Sequence, residues 1–140
     1  MYKPSLTVSL FMFCLSAPTH AFDEVAEVTT KVLTSSSQSW DGKELPPYPA
    51  GQPEIRIIRL TIPAGVELPV HNHPVINAGV LLSGELTVIT ENGDRLQLQA
   101  GDGLIEVVGT WHYGINEGDE PAEIIVFYAG AESIPTTVIK

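Results

Sequence analysis

Three histidines, His71, His73 and His112, fall within the stretch Gly65 to Asn116 of this 140-residue chain. The first two are separated by a single residue, Asn72. Side chains alternate across an extended strand, so both imidazoles project from one face and can reach the same ion. His112 follows two further strand-like runs and their turns, from which another strand can return it to the same place. Three neutral ring nitrogens converging in a pocket suit one divalent transition metal ion (Fe, Mn, Ni, Cu or Zn), whereas Mg and Ca prefer oxygen.

Glycines and asparagines frame the histidines at fixed intervals. Gly65, five residues, His71, one residue, His73, three residues, Asn77, six residues and Gly84 form one pattern. Gly101, five residues, Val107, one residue, Gly109, two residues, His112, three residues and Asn116 form a second. Together these resemble the two motifs of the cupin superfamily over about half of the chain, as in small exported single-domain members. The resemblance implies an all-β, single-domain jelly-roll barrel and makes His71, His73 and His112 the metal ligands. An isolated His-x-His pair would more simply be solvated on a strand, and the joint spacing argues against that. The resemblance also makes dioxygenase, lyase or isomerase chemistry on a small molecule the leading activities.

The sequence departs from the family pattern at two positions. Asn77 stands where the first motif has Glu, a metal ligand in the family, and Val107 where the second has Pro. An amide offers only a neutral carbonyl oxygen, so Asn77 either completes the shell weakly or simply makes hydrogen bonds. Glu106 is the other candidate for the shell. It interrupts the apolar run Leu104-Ile105-Glu106-Val107-Val108 and shares the parity of Leu104. A buried unpaired carboxylate is costly, and a nearby cation compensates it. Glu106 is therefore expected either to ligate the metal or to act as a general base, the alternative being an exposed strand face.

The elements that must position these residues read as strands. Glu54 to Ile62, Val70 to His73, Asn77 to Leu82, Glu85 to Thr90, Arg95 to Gln99, Gly101 to Val108, Trp111 to Ile115 and Glu123 to Tyr128 alternate or run apolar, with turn residues between them. Asn92-Gly93 marks a hairpin. Short strands at regular spacing without a convincing long helix indicate a barrel or sandwich over residues 54–130, followed by a C-terminal tail at 131–140. Trp111 and Tyr113 should point away from His112 and pack. Arg56 and Arg59 have opposite parity, so at most one can face inward; exposure is the default. Asn116 is expected to stabilise a turn.

Residues 22–53 form an N-terminal strand and arm. Val28, Thr30 and Val32 alternate, and such a strand often lies at a barrel edge, where it pairs with a second subunit to give a homodimer. Asp41 to Pro53 is too proline-dense for a regular element and is either an ordered arm or a loop.

Met1 to Ala21 has the form of a secretory signal peptide: Lys3, an apolar run from Leu6 to Leu15, and small residues before the cut. The run is too short to span a bilayer, so no stable membrane insertion is expected after cleavage. The only cysteine, Cys14, leaves with the leader, and lipoprotein processing there is disfavoured by bulky Phe13. Lys3 leaves too while all 17 acidic residues remain, so the mature chain carries a formal charge of −11. That argues against nucleic acid or an anionic membrane as a partner, while the leader makes the protein periplasmic or secreted. Two non-catalytic alternatives stand beside the enzyme: a module that captures a metal or metabolite, and a barrel that works by dimerisation alone.

Overall fold

The computed structural model describes residues 27–140, whose compact unit runs from Lys31 to Lys140. The expected leader lies outside the described residues. Among those described, no helix is long and apolar enough to cross a membrane.

Nine strands build the unit: β1 (Pro53–Ile62), β2 (His71–Asn72), β3 (Ile76–Ser83), β4 (Glu85–Thr90), β5 (Arg95–Gln99), β6 (Gly103–Ile105), β7 (His112–Ile115), β8 (Ala122–Ala131) and β9 (Val138–Ile139). They pair antiparallel in two sheets, ordered β1-β8-β3-β6 and β5-β4-β7-β2-β9. This is the jelly-roll arrangement expected from the sequence. Alternation places Ile62, Leu81, Leu86, Val88, Leu98, Leu104, Ala122 and Ile124 in one buried cluster between the sheets.

The turns explain the register. Gly93 has φ +90° in the β4–β5 hairpin, a left-handed conformation that glycine adopts without strain. Asn116 is wholly buried, donating to the carbonyls of Ile62 and Glu120 and accepting from Gly118 N. That amide ties the end of β7 to the end of β1.

Two boundaries differ from expectation. The proposed N-terminal strand is absent from residues 27–36, which are exposed and form no strand pairing with any other described residue. Alternation supplies a strand pattern, but a strand also requires a partner edge. The arm is nevertheless ordered further on. Gln38 bridges Glu44, and Trp40 N donates to Ile105 O at the end of β6. The segment 131–140, expected as a tail, joins the barrel instead. Val138 and Ile139 pair with Asn72 and His71, so the C-terminus is the strand beside the histidines.

Candidate metal centre

His71 and His112 are direct cross-strand partners on β2 and β7, and His73 follows just past β2. The ring centroids form a nearly equilateral triangle with sides of 4.4, 4.9 and 5.0 Å. One ligand atom from each ring lies within 4.8 Å of the others, so the cluster can hold a metal ion.

The outer nitrogens reveal which tautomer each ring adopts. His71 Nδ1 meets Pro69 O at 2.7 Å, His73 Nδ1 meets Thr136 O at 2.9 Å, and His112 Nδ1 meets Thr110 O at 2.8 Å. A carbonyl can only accept, so each neutral ring carries its proton on Nδ1 and leaves Nε2 bare. Among the described residues none donates to these Nε2 atoms. Three bare nitrogens on rings this close together suit a cation, and tying the far nitrogen of a ligand to a carbonyl is how such rings are commonly oriented.

Burial favours the neutral form of His73 and His71. It pushes His73 down to about 3, despite the opposing hydrogen bond to Thr136 O, with the neighbouring imidazoles adding to the depression. Burial also lowers His71, against the opposing bond to Pro69 O. Both shifts favour the deprotonated form that a metal requires.

Glu106 is buried on the cavity wall just beyond β6. Its Oε1 accepts from Trp40 Nε1 at 2.8 Å and from Val107 N at 2.9 Å, and lies 3.9 Å from His112 Nε2. Two atoms at that separation can both lie about 2.1 Å from one ion. Asn77 also lines the cavity, with Nδ2 turned 3.5 Å from Val75 O, a long and weak contact. Glu106 N donates to Asn77 O, so the two residues sit side by side on neighbouring strands. The carboxylate missing from position 77 thus has a counterpart one strand over.

Trp40 is a site residue that the sequence reading missed; a tryptophan in an irregular arm carries no periodic signal. Replacing it with phenylalanine keeps most of the ring but removes the donor to Glu106. The expected cost is roughly 1.5–3 kcal/mol in urea unfolding, the range for a hydrogen bond to a charged group. A loss below about 0.5 kcal/mol would show that this bond does not hold the carboxylate.

Thr136 and Thr137 were missed too. Thr137 Oγ1 lies 3.2 Å from His73 Nδ1, and burial holds the Tyr128 phenol above its ordinary value of 10. Arg56 and Arg59 are exposed, paired with Glu54 and Glu123, and neither lines the cavity. Trp111 and Tyr113 are half-buried and do not line it either.

A two-sheet barrel with an internal triad of histidines defines a class of protein, and comparison gives its family. Residues 58–128 match the Cupin domain model, and the chain belongs to that family. No curated protein matches the sequence significantly. Among solved structures, a conserved double-stranded β-helix protein from Klebsiella pneumoniae subsp. pneumoniae MGH 78578 is 24% identical. It covers 65% of this chain and 87% of its own, with a TM-score of 0.54. DMSP lyase DddQ from Ruegeria pomeroyi DSS-3 is 24% identical over 61% of this chain and 43% of its own, with a TM-score of 0.54. An oxalate oxidase is 24% identical over 61% and 45%, with a TM-score of 0.52. These likenesses establish the fold alone, and the chain spans less than half the length of the lyase and the oxidase.

Proposed function

We propose that this protein is an exported metal-dependent enzyme that binds one divalent transition metal ion and transforms a small molecule inside the barrel. The observation that carries the metal reading is the set of three Nδ1-to-carbonyl bonds, which leaves Nε2 free on three rings whose ligand atoms lie within 4.8 Å of one another. His71, His73 and His112 hold the ion. Glu106 is better placed than Asn77 to complete the shell, because its oxygen already stands 3.9 Å from His112 Nε2.

Three neutral ligands leave coordination positions for substrate or water, and a bound transition ion supplies Lewis-acid or redox chemistry there. Both hydrogen bonds to Glu106 fall on Oε1, so Oε2 is the oxygen placed to take a proton from a bound substrate. Tyr128, kept protonated, can donate to a substrate oxygen. Dioxygenase, lyase and isomerase reactions all use such parts. The DMSP lyase and oxalate oxidase neighbours are compatible with the first two but choose neither.

A non-catalytic module that captures a metal or metabolite is the second reading, favoured by the neutral Asn77. As part of the same proposal the chain acts as a homodimer in the periplasm or outside the cell. The support is the exposed, unpaired segment with Val32 72% exposed, and an outer face of β1 and β8 on which Ile55, Ile57 and Phe127 are 66%, 59% and 44% exposed.

The test is elemental analysis of protein starting at Phe22, produced without a histidine tag, beside Glu106→Gln. About one transition metal per chain is expected in the parent. If Glu106→Gln holds metal much more weakly, the carboxylate is a ligand; if it retains metal but loses turnover, it is a base. Turnover unaffected by Glu106→Gln would remove Glu106 as the base, metal-loaded parent without turnover on any small-molecule class would favour the binding module, and a parent that takes up no metal on reconstitution would end the metal reading.

A further inference from the structure

The cavity beneath the histidines has a volume of about 230 Å³. Its wall changes character with depth. The polar layer holds His112 on β7, Asn77 on β3, Tyr128 on β8 and Glu106 just beyond β6. Two residues further along, the same walls present Gly114, Gly79, Val126 and Leu104. Ile58, Leu60, Ile62, Leu68, Leu86, Val88 and Ile124 complete an interior with no Lys or Arg among the lining residues. Each two-residue step descends about 7 Å.

We propose that this lower chamber binds an aliphatic body. The substrate is then a small molecule with one oxygen-bearing head at the metal centre and an uncharged, unbranched tail beneath it, and Gly114 determines how long that tail can be. The head-group half rests on the metal reading above; the tail half rests on the cavity alone.

Three observations carry it. A second anionic group would find no cation within the chamber to neutralise it, and burying an unpaired charge is costly. Second, a 150 Å³ apolar cavity takes benzene, so this one has room for on the order of nine non-hydrogen atoms, head included. Third, neither Gly79 nor Gly114 has a positive φ, so backbone conformation does not demand glycine at either position. At Gly79 a Cβ would meet Leu104 Cδ2 at 2.9 Å and both Ile124 Cδ1 and Ile125 O at 3.2 Å, so close packing accounts for the glycine. At Gly114 a Cβ would meet Leu68 Cδ1 and Leu86 Cδ1 at 3.4 Å and Thr87 O at 4.0 Å, contact without collision. A methyl would fit there against the two leucines, at the wall of the chamber, so neither strain nor collision demands glycine and a larger side chain would have to occupy the chamber itself.

The probes are acetate, butanoate, hexanoate and adipate with zinc-loaded protein, and 1-hexanol with metal-free protein, all by titration calorimetry. Affinity should rise about fourfold per methylene from acetate to hexanoate, which corresponds to ~0.8 kcal/mol per buried methylene. Adipate, with a second carboxylate in the chamber, should bind at least tenfold more weakly than hexanoate. Gly114→Ala should weaken hexanoate and 1-hexanol, and Gly114→Val should weaken them further. Acetate affinity and zinc content should be unchanged in both. Equal affinity along the series, adipate matching hexanoate, or 1-hexanol binding alike in Gly114→Val and parent would each overturn the proposal. Protein that takes no zinc yet binds 1-hexanol in a manner sensitive to Gly114 would refute the metal reading and leave the apolar chamber standing.

Discussion

His112→Ala should lose more than about 100-fold in metal affinity while remaining folded. Removing only the outer partner of a metal-bound imidazole costs about 10–100-fold, and here the ligand itself goes. His112 is 1% exposed and faces both other rings, so no outside residue is positioned to replace it. Destabilisation of the metal-free barrel should be modest, on the order of 1–3 kcal/mol, because the loss is one hydrogen bond to Thr110 O plus a small void. The measurement pairs metal titration by competition with a chromophoric chelator and urea unfolding of chelator-treated protein. Parent-like affinity in a folded His112→Ala would mean that His71, His73 and a carboxylate suffice, and the three-histidine centre would have to be redrawn.

That expectation separates what the sequence made legible from what it did not. The histidines were legible because the strand period forces residues 71 and 73 onto one face, and because the glycine turns at Gly84, Gly93, Gly101 and Gly109 return the chain between β3 and β7. Glu106 was legible as an anomaly, a charge of inward parity in an apolar run. Its partner was not. The bond from Trp40 Nε1 crosses 66 positions from an arm without periodicity, and nothing local to either residue announces it. The C-terminal strand was missed for a related reason. Thr136-Thr137-Val138-Ile139 is too short to stand out by pattern, and pairing with β2 is what makes it a strand. The error at the N-terminus is the converse: alternation at Val28, Thr30 and Val32 without an edge to pair with among the described residues.

The missed elements share a location. Trp40 approaches from the arm and holds Glu106; Thr136 and Thr137 approach from the C-terminus and hold His73. The barrel strands carry the groups facing the centre, while the two ends of the chain orient them. An arm that pairs poorly with its own barrel therefore still bears on the site, since the ordered turn carrying Trp40 lies immediately after the exposed segment.

Acid should destabilise the metal-free protein well above the range in which carboxylates titrate. In the unfolded chain His73 takes a proton near its ordinary 6.5, whereas in the barrel it does so only at about 3. Between those values the unfolded state binds more protons, so stability falls as pH falls and is fully present only above 6.5. His71, also lowered by burial, acts with the same sign. Across the whole window the loss from His73 is on the order of a few kcal/mol, a large share of a typical domain's stability. Asp41 and Glu117 are held below their ordinary 3.8 and 4.5, so their contribution enters at the acid end. Urea midpoints at about pH 7 and pH 5 therefore isolate the histidines. His73→Gln, whose amide can still donate towards Thr136 O, should lose most of the slope in that interval. An unchanged slope would place the acid sensitivity elsewhere. Adding zinc to the parent should steepen the dependence, because the ion binds the native, deprotonated rings and must be displaced as the unfolded chain takes up protons. The burial that keeps these imidazoles ready for a metal is thus also what makes the empty barrel acid-labile.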